Sequence, residues 1–83
     1  MSGVVTVRLF SVLKERVGKA EVEIPAHEAE GVEQALNWLA GRFEAVRAYR
    51  PWIRVAVNRS YVSENVALHA GDEVALITPV SGG

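Results

Sequence analysis

The sequence predicts an α+β domain: a mixed sheet of about five strands, one main helix, and a short helix after the first strand. Three observations lead there. Apolar residues alternate at strand period around Val5-Val7-Leu9, Ala20-Val22-Ile24, Ile53-Val55-Val57 and Val74-Leu76. One stretch, Val32 to Glu44, repeats instead at helical period. With 83 residues, 49% of them hydrophobic, the chain has material for one core and no more.

Taken in order, Val5, Val7 and Leu9 alternate with Thr6, Arg8 and Phe10, giving a first strand. SVLKERVG then places Val12, Leu13 and Val17 within a short helix that stops on Gly18. AEVEIP alternates again and closes on Pro25, a second strand expected to pair with the first. Val32, Ala35, Leu36, Leu39 and Phe43 make one apolar stripe of the main helix, with Trp38 at its edge. Gly31 is a weak helix start, whereas Glu33 suits the positive end of the dipole. Pro51 marks the break that follows. IRVAV is the third strand, Asn58-Arg59-Ser60 a turn, and Tyr61-Val62 a short return strand. Gly71-Asp72 turns the chain into EVALIT, the last strand.

Composition excludes several function classes. There is no cysteine, hence no disulfide framework and no catalytic thiol. A net charge of −1 with both signs interspersed gives no footprint for nucleic acid. MSGVVTVRLF lacks the basic start and apolar block of a signal peptide, and no apolar run is long enough to span a membrane. The expectation is a soluble, cytoplasmic protein. His27 and His69 lie far apart and have no ligand spacing, so no metal site is expected. Gly18-Lys19 lacks the rest of a phosphate loop, and the serines have no base beside them. No internal catalytic constellation emerges.

Strand parity points to a surface instead. If Val5, Val7 and Leu9 face the helix, then Phe10 shares the other face with Thr6 and Arg8. If Val74 and Leu76 face in, Ile77 faces out with Glu73 and Ala75. Should the first and last strands adjoin, Phe10 and Ile77 share an open sheet face that Tyr61 could join, and clustered apolar exposure marks partner sites. The competing reading tucks Phe10 under the short helix. Lys14 and Arg59 are either cations for acidic partners or ordinary solubilising charges.

The chain ends TPVSGG. Glycine is about 7% of average usage, so two at a given terminus arise by chance roughly once in 200 sequences. Either the end is simply frayed or its carboxylate is the working group. From Pro79, where pairing can stop for want of an N–H, the extended tail through Val80 and Ser81 to Gly83 reaches roughly 15–18 Å. Gly82 and Gly83 fit a channel too narrow for any side chain. A terminal carboxylate is a poor electrophile. Acyl chemistry on it requires activation, most simply as a mixed anhydride with AMP.

VRLFSVLKERVG, VEQALNWLAGRF, AVNRSYV and LHAGDEVALITPVSGG together resemble the small, sulfur-carrier subunits of molybdopterin synthase, a ubiquitin-like β-grasp family. Turn, strand, proline and double glycine stand in that family's order. Three positions depart from its pattern: Gly31 stands where a capping Thr is frequent, Arg59 where the turn often has Gly, and Ser81 where Thr precedes the glycines. The resemblance implies a β-grasp domain over residues 1–78 and a flexible tail over 79–83. It implies that a ubiquitin-activating-type adenylyltransferase uses ATP to adenylate Gly83, with no cofactor bound permanently. Sulfur from a cysteine desulfurase or rhodanese then leaves a thiocarboxylate. A non-catalytic carrier so charged donates sulfur to cyclic pyranopterin monophosphate in the large synthase subunit, within an expected heterotetramer. Phe10, Lys14, Tyr61 and Ile77 are the implied docking residues, and Pro79, Val80, Ser81 and Gly82 enter the partner with Gly83. Two alternatives share the tail: a carrier for thiamine or another thiolated product, and a ubiquitin-like modifier joined to lysines through Gly83. Thiamine-branch carriers usually lack the helix insertion seen in LFSVLKERVG.

Overall fold

A computed structural model describes residues 3–79. Ten elements follow one another: β1 (Val4–Leu9), α1 (Ser11–Val17), β2 (Glu21–Pro25), a 3-10 turn (Ala26–Glu28), α2 (Val32–Arg42), α3 (Glu44–Tyr49), a second 3-10 turn (Arg50–Trp52), β3 (Arg54–Val57), β4 (Ser60–Val62) and β5 (Glu73–Ile77). The strands form one five-stranded sheet in the order β2-β1-β5-β3-β4. Only β1 and β5 are parallel, with Val7 opposite Val74 and Leu9 opposite Leu76. The other neighbours are antiparallel. This is a β-grasp, ubiquitin-like fold.

Parity decides the core. Val5, Val7 and Leu9 of β1, Val22 and Ile24 of β2, Val55 of β3, and Val74 and Leu76 of β5 all point to the face covered by α2. Val32, Ala35 and Leu39 of α2 meet them, and Leu13 of α1 and Val46 of α3 close the ends. No charged or polar residue is buried among the described residues. The core is therefore held by apolar burial and shape alone, at about 25 cal/mol for each Å² of apolar surface removed from water.

The main helix is shorter than the apolar stripe suggests. Phe43 leaves helical geometry (φ −128°, ψ 114°) although its N–H still bonds the Leu39 carbonyl at 2.8 Å. A separate helix, α3, then runs where the sequence reading has only a connection. Gly41 weakens the last turn of α2, since glycine in a helix costs about 1 kcal/mol relative to alanine. The break redirects the chain so that Val46 is sealed and Tyr49 packs against the core's edge.

The weak helix start is remedied from elsewhere. Gly31 at the N-cap supplies no side chain, but Asn65, in the loop before β5, accepts the Glu33 N–H at 2.9 Å. The Val66 carbonyl takes the Val32 N–H at 3.0 Å. A β-carbon at position 31 would lie 3.0 Å from Asn65 Oδ1. Glycine is what lets the loop approach close enough to cap the helix.

Candidate functional site

The parallel pairing of β1 and β5 has a geometric consequence. Both strands end at the same margin of the sheet, so Phe10, one residue past β1, stands beside Ile77 at the end of β5. Phe10 keeps extended geometry (φ −134°, ψ 159°), which carries the face alternation of β1 one residue further. It is 39% exposed and is not tucked under α1. Ile77 is half-buried, with Arg54 of β3 opposite it on the same face.

A second row crosses the sheet behind these residues. Glu21 pairs with Arg8, Arg8 with Ala75, Ala75 with Ala56, and Ala56 with Tyr61. Tyr61 is 68% exposed and stands three strand spacings from β1, roughly 14 Å. Between it and Phe10 the row holds only two small side chains, half-buried Ala75 and buried Ala56, which leave a shallow floor. The register thus sets Phe10 and Ile77 at one margin of the open face, with Arg54 opposite Ile77, and Tyr61 across the sheet from them. Lys14 lies exposed on α1, one turn on from Phe10, whose carbonyl accepts the Lys14 N–H at 3.3 Å.

Charge on this face is arranged unequally. Arg8 is held by two carboxylates, Glu73 at 3.1 Å and Glu21 at 3.7 Å, and its guanidinium carbon sits 5.8 Å from the Phe10 ring centre. Arg54, Arg59 and Lys14 make no ion pair among the described residues. On the β2 side the arginine is therefore compensated, whereas on the β3–β4 side Arg54 and Arg59 are left without a paired carboxylate among the described residues.

A hydrogen-bonded strap holds the β3–β4 turn in place. Asn58 Nδ2 donates to Asp72 at 3.1 Å, Asn58 Oδ1 accepts the Glu73 N–H at 3.0 Å, and Asp72 accepts the His69 N–H at 2.8 Å. The His69 amide above all, then the Asn58 amide, stabilises the charged Asp72 carboxylate and holds its pKa below the ordinary value, against a smaller opposing effect of burial.

Trp52 is the residue the sequence reading missed. It is 61% exposed, meets Tyr49 edge-on at 6.5 Å, and lines an open groove of about 800 Å³ with Leu36, Ile53, Arg54, Tyr61 and Pro79. The groove shares Tyr61 with the open face and Pro79 with the root of the tail. A Trp beside a proline just ahead of a strand was the available signal, because an indole is seldom left so exposed without use. Val80, Ser81, Gly82 and Gly83 lie outside the described residues, as does most of the tail over 79–83. No helix among the described residues is long and apolar enough to cross a membrane. No group of three or more His, Asp or Glu side chains among them is placed to hold a metal ion.

Comparison with known proteins bears on this arrangement. Residues 7–83 match the model of the ThiS family. The molybdopterin synthase sulfur carrier subunit of Dictyostelium discoideum is 29% identical, with all of both chains covered. The crystal structure of SAMP1, small archaeal modifier protein 1, from Haloferax volcanii superposes with a TM-score of 0.82 at 32% identity, covering 98% of this chain and 100% of that one. A chain of the complex of subunits 1 and 2 of the molybdopterin-converting factor from Helicobacter pylori gives 0.73 at 25% identity, covering 96% and 99%.

Proposed function

The chain belongs to the ThiS family, and from that premise we propose that it is a sulfur carrier whose terminal Gly83 delivers sulfur inside the large subunit of molybdopterin synthase. The observation that carries this reading is the family match, which runs through residue 83 and so includes the glycine pair. Likeness to named molybdopterin synthase sulfur carriers supports it. So does an open face that exposes Phe10 and Tyr61 and whose margin is also the root of the tail. The helix α1, in SVLKERV, favours the molybdopterin branch over a thiamine carrier.

In this mechanism the Gly83 carboxylate attacks the α-phosphorus of ATP in the activating enzyme, and pyrophosphate leaves. A persulfide sulfur from a desulfurase or rhodanese attacks the acyl carbon and the C–O bond to AMP breaks, leaving an acyl disulfide; a thiol then attacks the donor's cysteine sulfur, forming a new disulfide with it as the S–S bond breaks and the thiocarboxylate is freed. Phe10, Ile77, Tyr61 and Lys14 dock the carrier, while Pro79, Val80, Ser81 and Gly82 thread the tail inward. The chain positions the reactive group. The partner's pocket transfers sulfur to cyclic pyranopterin monophosphate, twice for each dithiolene.

A second reading rests on the likeness to small archaeal modifier protein 1. There a lysine ε-amine attacks the same acyl adenylate, AMP leaves, and an isopeptide bond forms. The deciding experiment combines the chain with activating enzyme, ATP, a persulfide donor, the large subunit and cyclic pyranopterin monophosphate. Molybdopterin is expected from the full chain and none from a chain lacking Gly83, with unchanged melting temperature. Product from the truncated chain would overturn the carrier reading; lysine adducts without product would favour the modifier.

A further inference from the structure

The β3–β4 connection is a two-residue hairpin loop, closed by the Val57–Ser60 pair. Both loop residues have positive φ, 50° at Asn58 and 73° at Arg59, as a type I′ turn demands. Asn tolerates that region, and glycine is the natural second residue. An arginine there carries left-handed strain for no gain in packing, since its side chain is exposed. Retained strain of this kind is commonly linked to function.

The position of Arg59 supplies that link. With Arg8, Phe10, Glu73 and Ala75 it lines a concavity of about 190 Å³ on the open face. The one carboxylate there, Glu73, is already bonded to Arg8 at 3.1 Å. Arg59 makes no side-chain hydrogen bond or ion pair among the described residues. The strap from Asn58 to Asp72 and Glu73 fixes the backbone that presents it. Arg54, on the same β3–β4 side, is equally without an acidic partner.

Building on the carrier reading, we infer that Arg59 is a specificity-determining contact, an arginine that seats on a carboxylate of the large synthase subunit beside the Phe10 contact. Strain in the turn is the cost of placing a guanidinium where the usual glycine has nothing to offer. A long planar cation at the edge of a concavity shared with Phe10 and Ala75, whose own carboxylate is already taken by Arg8, is suited to a partner's carboxylate at the rim of an interface, where it sets encounter rate and partner choice.

The test titrates the full chain and its Arg59→Gly, Arg59→Lys and Arg59→Glu variants against the large subunit of the same organism, at low and high salt. Arg59→Gly is expected to weaken binding roughly fivefold at low salt, the size an exposed ion pair supports. Arg59→Glu weakens it further, Arg59→Lys keeps most of it, and the differences shrink at high salt. The Arg59→Gly variant melts at the same temperature or up to roughly 5 °C higher, because strain is relieved. A structural role alone would move stability and leave affinity and its salt dependence untouched. Wild-type binding by both Arg59→Gly and Arg59→Glu at low salt would overturn the inference while leaving the carrier reading standing. Failure of the unsubstituted chain to bind the large subunit would remove both.

Discussion

Leu76 and Ile77 are consecutive residues of the central strand, and they serve opposite faces of the sheet. Leu76 has no exposed surface and lies under α2 with Leu9 and Leu39. Ile77 stays half-exposed beside Phe10, at the margin from which Pro79 leads into the tail. One face is sealed, apolar and without a buried polar or charged residue among the described residues; the other carries charges, aromatic rings and an alanine floor. The difference teaches how so small a domain separates stability from recognition. Alternation along each strand lets one face be altered with little effect on the other.

The largest effect should come from breaking the sealed face. Leu76→Ala is expected to cost about 2–5 kcal/mol, a large share of the 5–15 kcal/mol typical of a whole domain, read from urea unfolding. Equal losses from Leu76→Ala and Ile77→Ala would show that the two faces are not separate.

The open face should answer in binding instead. Phe10→Asp is expected to weaken association with the large subunit roughly tenfold or more, as loss of an aromatic anchor does. Its stability should stay within about 0.5 kcal/mol. Phe10 is the N-cap of α1 with no side-chain bond, a position where aspartate is a favoured cap. Collapse of the fold would instead make Phe10 a core residue.

Smaller effects come from the loops that join the two faces. Asn65→Ala should cost about 1 kcal/mol by removing the cap on α2, and Gly31→Thr made with Asn65 in place should add no stability, because its β-carbon meets the Asn65 side-chain oxygen at 3.0 Å. The Asp72 strap adds a pH dependence. Its folded pKa lies below the ordinary carboxylate value, about 3.9 when unfolded. Its stabilisation is then present above that value and lost as pH falls through the lower folded pKa. Asp72→Asn should flatten this acid limb in thermal melts. An unchanged limb would show the strap to be idle.

Much of this was legible in the sequence, for a physical reason. Strand parity at Val5-Val7-Leu9 and Val74-Leu76 is a local property of the backbone, so it assigned Phe10 and Ile77 to the open face once β1 and β5 adjoined. Three features were not legible, because each depends on residues distant in sequence. The break at Phe43 reflects packing of Val46 against the core. The cap on α2 comes from Asn65, 32 residues on. The groove around Trp52 needs α2, β3, β4 and Pro79 together. In the sequence Arg59 is only a departure from the turn's usual glycine; the backbone angle shows the strain it carries.

The central claim is that the reacting atom sits on Gly83, presented by a domain that takes no chemical part. Intact-mass analysis of the protein isolated from its own cells, with fragmentation of the C-terminal peptide, tests it most directly. A population heavier by the exchange of one oxygen for sulfur, located on Gly83, is expected. Sulfur found elsewhere in the chain, or Gly83 found only as a free carboxylate or a lysine adduct while molybdopterin is being made, would contradict it.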